Sequence, residues 1–316
     1  MIQKIFKVVL VIGLLSTSTL FGATHSFTVE NDALASHDDG YYTNGLFYTY
    51  MDEIQHPSYI KLMEDLETNT AISFTHLMFT PDNKQKTTAQ LNDIPYAGYA
   101  KLNFLLYKSS KNYFHEFGVN IGLVGPSTLA EEFQSNFHSL IGQDKAKGWD
   151  TQLKDQFTSG ISYQFAYKTD SFDVGNFKVD WTNNIRIEAG NYYSGVLASS
   201  TLRIGSMAYD DFATTGNFTV TDENHLLNKK YPKNFNWSIS FGLFANEIFN
   251  YYIIDEARDL GYTLEKLDYI SGEQVSYNIF YDEIQYSFAI KSVYLNDHLF
   301  TSANKQWGGL TISWKF

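Results

Sequence analysis

The 316-residue sequence has no cysteine, few charges and, after its first two dozen positions, no apolar run long enough for a transmembrane helix. The absence of cysteine excludes a disulfide scaffold and a cysteine-based zinc site. Only 18% of the residues are charged and the net charge is -12, which excludes a nucleic-acid binder, because neutralising phosphates requires clustered lysine and arginine. Aromatic residues are abundant at 17%, and this load excludes an intrinsically disordered chain.

Residues 1–23 predict a secretory signal peptide, followed by one domain over 24–316. Lys4 and Lys7 form a positive start, and the apolar centre at 8–15 is too short to span a bilayer. A pair of small residues precedes residue 24. A buried N-terminal strand or helix is the alternative interpretation of this segment. The favoured interpretation places the mature chain outside the cytoplasm.

The rest of the sequence is dominated by alternation of apolar and polar residues, which places the two kinds of side chain on opposite faces of a strand. The clearest cases are 179–189, 235–245 and 310–316, the last ending the chain on an aromatic residue. A soluble barrel or sandwich would show the same alternation. Export, strands of about 10 to 12 residues and the many aromatics favour a transmembrane antiparallel β-barrel.

Twelve strands are predicted in this all-β fold, and an even number returns both termini to the periplasmic side. They lie near 26–32, 43–52, 70–80, 97–107, 114–124, 156–168, 176–189, 196–206, 235–249, 270–282, 284–295 and 306–316. No internal repeat or linker interrupts them, which predicts a single barrel domain.

One segment has helical periodicity instead, and it falls in the loop after the fifth strand. Its apolar residues recur every four positions, at Leu129, Phe133, Phe137 and Ile141. Thr128 and Glu131 predict a capping box at the start, and Gly142 predicts the end. The sequence therefore predicts an amphipathic helix of three to four turns in an extracellular loop, where a helix that only covers the barrel is the alternative.

Strand parity sorts the polar residues by rim, because every loop after an odd-numbered strand lies on the extracellular side. We number these loops along the chain, so that loops one, two and three follow the first, third and fifth strands. The residues assigned to that rim are Asn31, Asp32, Asp38, Asp39, Thr43, Lys84, Asp93, His138 and Asp144. A histidine near carboxylate and amide oxygens suggests a general base beside a site for a hard cation such as Ca²⁺. Solvated acidic loops are the alternative explanation of the same spacing.

Several blocks of sequence resemble the outer-membrane lipid A 3′-O-deacylase family. FTVENDALASHDDGYYTNG at 27–45 is similar to the opening of that family, and DIPYAGY at 93–99 to its segment before the fourth strand. GLVGPSTLAEEFQSNFHSLIG at 122–142, with KGWDTQL at 147–153, resembles its helix-bearing loop. WGGLTISWKF at 307–316 resembles its last strand.

The resemblance implies a calcium-dependent esterase that removes the 3′-linked acyl (acyloxyacyl) chain of lipid A in the outer leaflet. It implies that His138 is the general base that activates water, and that Asn31, Asp32 and Thr43 are essential. Asp32 is then the expected calcium ligand, where the ion would stabilise the developing oxyanion. The expected partner is lipopolysaccharide of the bacterial outer membrane. The protein is expected to act as a monomer.

Two further site residues follow from the same resemblance. Asp144 stands where the family has an acidic residue six positions after the histidine, and Lys84 is similar to a basic residue of loop two that would bind substrate. The site is expected to open sideways between barrel wall and loop helix. Phe133 and Phe137 are expected to pack that helix onto the wall, with contact to an acyl chain as the alternative.

Two other functions stay open on the sequence alone. A non-enzymatic porin or adhesin would use the same barrel, and it would not depend on His138. A phospholipase-type hydrolase would need a nucleophilic serine beside its histidine. Ser139 follows His138 directly and so points about 100° away around the helix axis.

Overall fold

The computed structural model describes residues 23–35, 41–53, 63, 65–142, 144–206, 212, 233–296 and 305–315. The predicted signal peptide, except its last residue, and the loop-one residues Asp38 and Asp39 lie outside these ranges.

Thirteen antiparallel strands form one sheet in the described part of the chain. They are β1 Thr24–Asn31, β2 Tyr41–Glu53, β3 Glu67–Thr80, β4 Ala97–Ser109, β5 Tyr113–Val124, β6 Gln156–Lys168, β7 Phe172–Val174, β8 Phe177–Gly190, β9 Tyr193–Gly205, β10 Asn236–Tyr251, β11 Tyr269–Tyr281, β12 Ile284–Leu295 and β13 Lys305–Lys315. The sheet closes because β1 pairs with β13 and β6 pairs with β8. The short β7 only extends a hairpin with β8, so the barrel has the twelve predicted strands, and the all-β prediction is confirmed.

Within the described ranges two α-helices lie in the loops, α1 at Ala130–Ile141 and α2 at Tyr252–Asp259. No helix in the described part of the chain is long and apolar enough to cross a membrane. Three short 3-10 turns accompany them, at Asp32–Leu34, Pro126–Thr128 and Trp149–Thr151. We call the end of the barrel that carries α1 and α2 the outer rim.

The predicted loop helix is confirmed as α1, but its predicted capping box is wrong. Leu129 occupies the N-cap position and makes no side-chain capping bond. The Thr128 hydroxyl instead donates 2.7 Å to the carbonyl of Gly125, because the preceding residues form a 3-10 turn of their own. Gly142 ends the helix as predicted, at a φ of 76° that a residue with a side chain rarely adopts.

Many inward-facing side chains of the barrel are polar, and several of their charges are paired. Buried ion pairs join Arg203 to Asp180, Arg186 to Glu116, and Lys291 to Glu30, at 2.6, 2.9 and 2.6 Å. Pairing offsets the cost of removing these charges from water. The outward faces expose Ile72, Phe74, Phe104, Val119, Ile161, Trp181, Ile185, Phe241 and Val275. This polar interior with an apolar exterior is the arrangement that a barrel in a membrane requires.

An apolar cluster, which we call the plug, fills the lumen at the outer rim. Ile253 and Ile254 of α2 are buried in it against side chains that point inward from the wall. The rings of Tyr99 and Tyr192 stack there with centroids 3.5 Å apart. Because the plug occupies the lumen with packed side chains, we expect a lipid in the outer leaflet to meet the outside of the wall.

We expect Lys291→Met to lower the free energy of unfolding by about 3–5 kcal/mol, because it leaves the buried Glu30 carboxylate without its cation. Unfolding in urea, followed by tryptophan fluorescence in lipid vesicles, measures the change. Lys111→Met is the matched control, since its pair with Asp170 is exposed and contributes little. Equal urea midpoints for Lys291→Met and the control would contradict the expectation.

Candidate active site

Three of the predicted site residues lie together where β1 ends and β2 begins. The Asn31 amide nitrogen donates 3.0 Å to the carbonyl of Thr43. The Asn31 amide oxygen and one Asp32 carboxylate oxygen both accept the same backbone N–H, that of Ala33, at 2.9 and 2.7 Å. The two side-chain oxygens therefore converge at the start of the Asp32–Leu34 turn, where the Asp32 side chain is buried.

A β-bulge at Thr43 shapes this part of the rim. The pairing between β2 and β3 shifts between Tyr42 and Asn44, so Thr43 is the extra residue. Tyr42 points into the lumen, where its hydroxyl donates 2.7 Å to Glu30. Thr43 instead pairs its buried hydroxyl with that of Thr80 at 2.6 Å, which ties the site to the end of β3.

Helix α1 is seated on the outside of the barrel wall. The start of the helix approaches the wall closely at Gly98. A Cβ at this position would collide with the Thr128 hydroxyl and lie 2.6 Å from the Ala130 Cβ. A buried apolar cluster completes the seat, formed by Met78, Tyr96, Ala130, Ala146 and Trp149. The helix thus sits on the outward side of β4 at Gly98. Further along the same side of β4, Leu102 and Phe104 face lipid.

His138 lies on the buried side of α1 in its last turns and is only 8% exposed. Its Nδ1 lies 2.7 Å from the backbone carbonyl oxygen of Asp144. Because a carbonyl can only accept, Nδ1 carries the proton and Nε2 of the neutral ring is left as an acceptor. The ring is therefore held in the tautomer that a general base needs.

Asp144 takes part in this contact through its backbone, and its own side chain is exposed. Gly142 ends the helix in the left-handed conformation, and the Asp144 carbonyl, six residues after His138, contacts the histidine. The role of the Asp144 carboxylate itself stays a prediction.

Gln134 is a residue of this site that the sequence interpretation did not include. It lies one turn before His138 on the same buried side and is 5% exposed. The Trp149 indole nitrogen donates 2.8 Å to its amide oxygen. Since an indole can only donate, the amide NH₂ is turned away from Trp149. The signal in the sequence was the four-residue spacing to His138 together with the tryptophan of KGWD.

The expectation that the α1 phenylalanines pack onto the wall is confirmed only in part, because the Phe133 ring contacts His76 of β3, with centroids 5.9 Å apart, while the rest of the ring stays exposed. The side buried against the protein is the row formed by Ala130, Gln134 and His138. Leu129 and Phe133 are 60% and 41% exposed. The expectation of full burial assumes that the apolar side of an amphipathic helix faces the protein and its polar side faces water.

Lys84 is brought to the same rim by contact between loops two and three. Its backbone carbonyl accepts 2.8 Å from the N–H of Lys147, and its side chain is half-buried. Asp93 has a structural role in loop two, where its carboxylate accepts the N–H groups of Asp82 and Ile94 at 2.9 and 2.7 Å. The backbones of Lys84 and Lys147 are therefore in contact, which joins loop two to the segment after α1.

The start of α1 is acidic, with Glu131 and Glu132 in its first turn. Desolvation raises the pKa of Glu131, and repulsion from Glu132 and Asp150 adds to the rise. The two carboxylates would repel an anionic lipid headgroup at the start of the helix. Lys84 and Lys147, beyond the other end of the helix, would attract one.

The predicted site residues form two groups that loop two connects. Asn31, Asp32 and Thr43 meet at the β1–β2 end, and His138 meets the backbone of Asp144. The first group reaches loop two through Thr80, at the end of β3, and the second through Lys147. Within the described ranges, no three His, Cys, Asp or Glu side chains are grouped closely enough to hold a metal by themselves.

We expect Gly98→Val to displace α1 while leaving the barrel folded, because its side chain would occupy the space of Thr128 and Ala130. Limited proteolysis of the folded protein should then cut the α1 loop faster. Ala198→Val is the control, since Ala198 is an exposed outward residue of β9. Equal cleavage of the two variants would contradict this seat for the helix.

Comparisons with known proteins identify the family of the chain. A family model described as "Outer membrane protein LpxR" matches residues 8–316. The solved structure of LpxR from Salmonella typhimurium is 16% identical in sequence, with a TM-score of 0.77, and the match covers 93% of this chain and all of that one. The β domain of the Bordetella autotransporter BrkA is 8% identical, with a TM-score of 0.48, covering 93% and 99%. No curated protein matches the chain. The family model spans nearly the whole sequence, and the chain therefore belongs to the LpxR family of outer membrane proteins, the lipid A 3′-O-deacylases.

Proposed function

We propose that the protein hydrolyses the ester of the 3′-linked acyl (acyloxyacyl) chain of lipid A in the outer leaflet, using water activated by His138. The observation that carries the proposal is the buried His138 ring, which the Asp144 carbonyl holds with Nε2 as acceptor. Membership of the family supports lipid A as the substrate and the outer membrane as the location.

The position of the site supports a substrate that stays in the membrane. The plug packs apolar side chains within the lumen, and α1 sits on the outward side of β4. A lipid moving in the outer leaflet would reach the gap between the wall and α1 from the side. The lipid would not have to leave the bilayer, so its acyl chains would not be exposed to water, which is unfavourable.

The oxygen donors at the rim fit a partial shell for Ca²⁺. Such ions prefer carboxylate, amide and backbone oxygens, and the buried Asp32 carboxylate converges with the Asn31 amide oxygen. One carboxylate is too little for a complete protein shell, so phosphate or ester oxygens of the substrate would supply further ligands. When bound, the ion would act as a Lewis acid that stabilises charge on the ester oxygen.

His138 performs the proton transfers in the proposed reaction. Its Nε2 takes a proton from water as that water attacks the ester carbonyl, and the Asp144 carbonyl stabilises the resulting imidazolium through Nδ1–H. The imidazolium then returns the proton to the departing 3′-oxygen of the sugar. Lys84 of loop two would bind an anionic group of lipid A.

The contacts of Ser139 favour water over serine as the nucleophile. Ser139 is exposed, and its hydroxyl donates 2.8 Å to the carbonyl of Ser135 one turn earlier. It therefore points away from the buried side where His138 lies. The phospholipase-type alternative loses its nearest candidate nucleophile.

Purified protein incubated with lipid A in mixed micelles tests the proposal, with mass spectrometry of the lipid after calcium or a chelator is added. We expect lipid A to lose the mass of its 3′-linked acyl chain in calcium and to stay intact in chelator. Intact lipid A under both conditions would contradict an esterase and favour the non-enzymatic barrel.

A further inference from the structure

The apolar side of α1 is exposed although the helix is firmly seated. Leu129 is 60% exposed and Phe133 41%, and the half-buried Phe137 continues the row one turn later. We call Leu129, Phe133 and Phe137 the apolar stripe. In water such a stripe would turn inward, but here the inward row is the one with Gln134 and His138.

The apolar stripe is continuous with the lipid-facing surface of the barrel. The Phe133 ring packs on His76, with centroids 5.9 Å apart, and His76 in turn stacks on Phe74 of the same strand at 6.5 Å. Phe74 and its cross-strand partner Leu102 are outward-facing and about two-fifths exposed. Phe133 therefore extends an apolar surface that already faces the hydrocarbon of the membrane.

Polar contacts beneath the helix fit the same arrangement. His76 is 6% exposed on the outward side of β3, and its Nε2 lies 3.0 Å from the carbonyl oxygen of Thr128. Phe133 and the turn before α1 cover this imidazole, which would otherwise meet lipid. A polar ring in hydrocarbon is costly without such cover and a hydrogen-bond partner.

We propose that α1 lies in the outer leaflet of the bilayer, with the apolar stripe in contact with the hydrocarbon of the lipids. The occupant of the surface is the acyl region of the bilayer itself, so the inference stands apart from the proposed catalytic activity. It makes α1 an interfacial helix, whose polar side holds the histidine against the wall and whose apolar side enters the membrane.

The absence of cysteine in the chain allows a direct test by spin labelling. The variant Phe133→Cys is labelled with a nitroxide and placed in phosphatidylcholine vesicles without lipid A. The collision rates of the nitroxide with oxygen and with a water-soluble nickel chelate are then measured. We expect the label to resemble one at Ile72→Cys, an outward residue of β3 that is 47% exposed, with frequent oxygen and rare nickel collisions.

Glu132→Cys is the control on the same helix, because Glu132 is exposed and lies about 100° around the axis from Phe133. Its label should be more accessible to nickel than the one at position 133. A label at position 133 that is as accessible to nickel as the control would overturn the proposal. A label shielded from both reagents would also overturn it, because the stripe would then pack on protein.

Discussion

His138→Ala is expected to lower the rate of lipid A deacylation by about 10²–10⁴-fold, the contribution of a positioned general base. The ring is buried on α1, and its Nδ1 is held 2.7 Å from the Asp144 carbonyl oxygen. Removing the imidazole leaves the attacking water without a base, while the other residues proposed to bind calcium and lipid A remain. The measurement is the initial rate of acyl release from lipid A in saturating calcium.

Ser139→Ala is the matched control for this variant. It removes a hydroxyl from the next residue of the same helix, where the hydroxyl only bonds the carbonyl of Ser135. Heat-modified mobility in gel electrophoresis shows whether each barrel is folded. A folded His138→Ala protein with the rate of Ser139→Ala would contradict the role of the histidine, and a slow Ser139→Ala protein would point to a serine nucleophile.

Asp32→Asn is expected to raise the calcium concentration for half-maximal activity by about tenfold or more, because calcium affinity depends on the number of ligand charges. The substitution keeps the size of the side chain and an oxygen that can accept the N–H of Ala33. The barrel should therefore fold as before. The measurement is the deacylation rate over a calcium titration that begins in chelator.

The control for the calcium titration is Asp150→Asn, which removes an exposed carboxylate from loop three of the same rim. It changes the net charge equally, so a general charge effect would shift both variants alike. Equal titration curves would contradict a specific ligand role for Asp32. Full activity of the wild-type protein in chelator would contradict the use of calcium altogether.

The barrel is predictable from the sequence because each strand carries its own signal. The alternation that ends in Leu310, Ile312 and Trp314 depends only on neighbours in the chain, and the same holds for the other long strands. Helix α2 was missed, because YIIDEARD directly follows a strand and its first apolar residues extend the strand pattern. The two isoleucines are instead drawn into the plug.

The candidate site shows where the sequence pattern is insufficient. Periodicity locates the two sides of α1 but does not say what each side faces, and in this membrane protein the apolar side faces outward. The Asn31 and Thr43 contact was predictable from adjacent strand ends. The Asp144 carbonyl and the Gln134 amide were not, because one is a backbone group and the other is oriented by Trp149.

Hydrolysis of lipid A in ¹⁸O-labelled water tests the central claim most directly, with tandem mass spectrometry of both products. We predict that lipid A loses only the chain linked at the 3′ position, that the released acid carries one ¹⁸O, and that the new 3′-hydroxyl is unlabelled. Unchanged lipid A, or loss of a chain from a different position, would contradict the account.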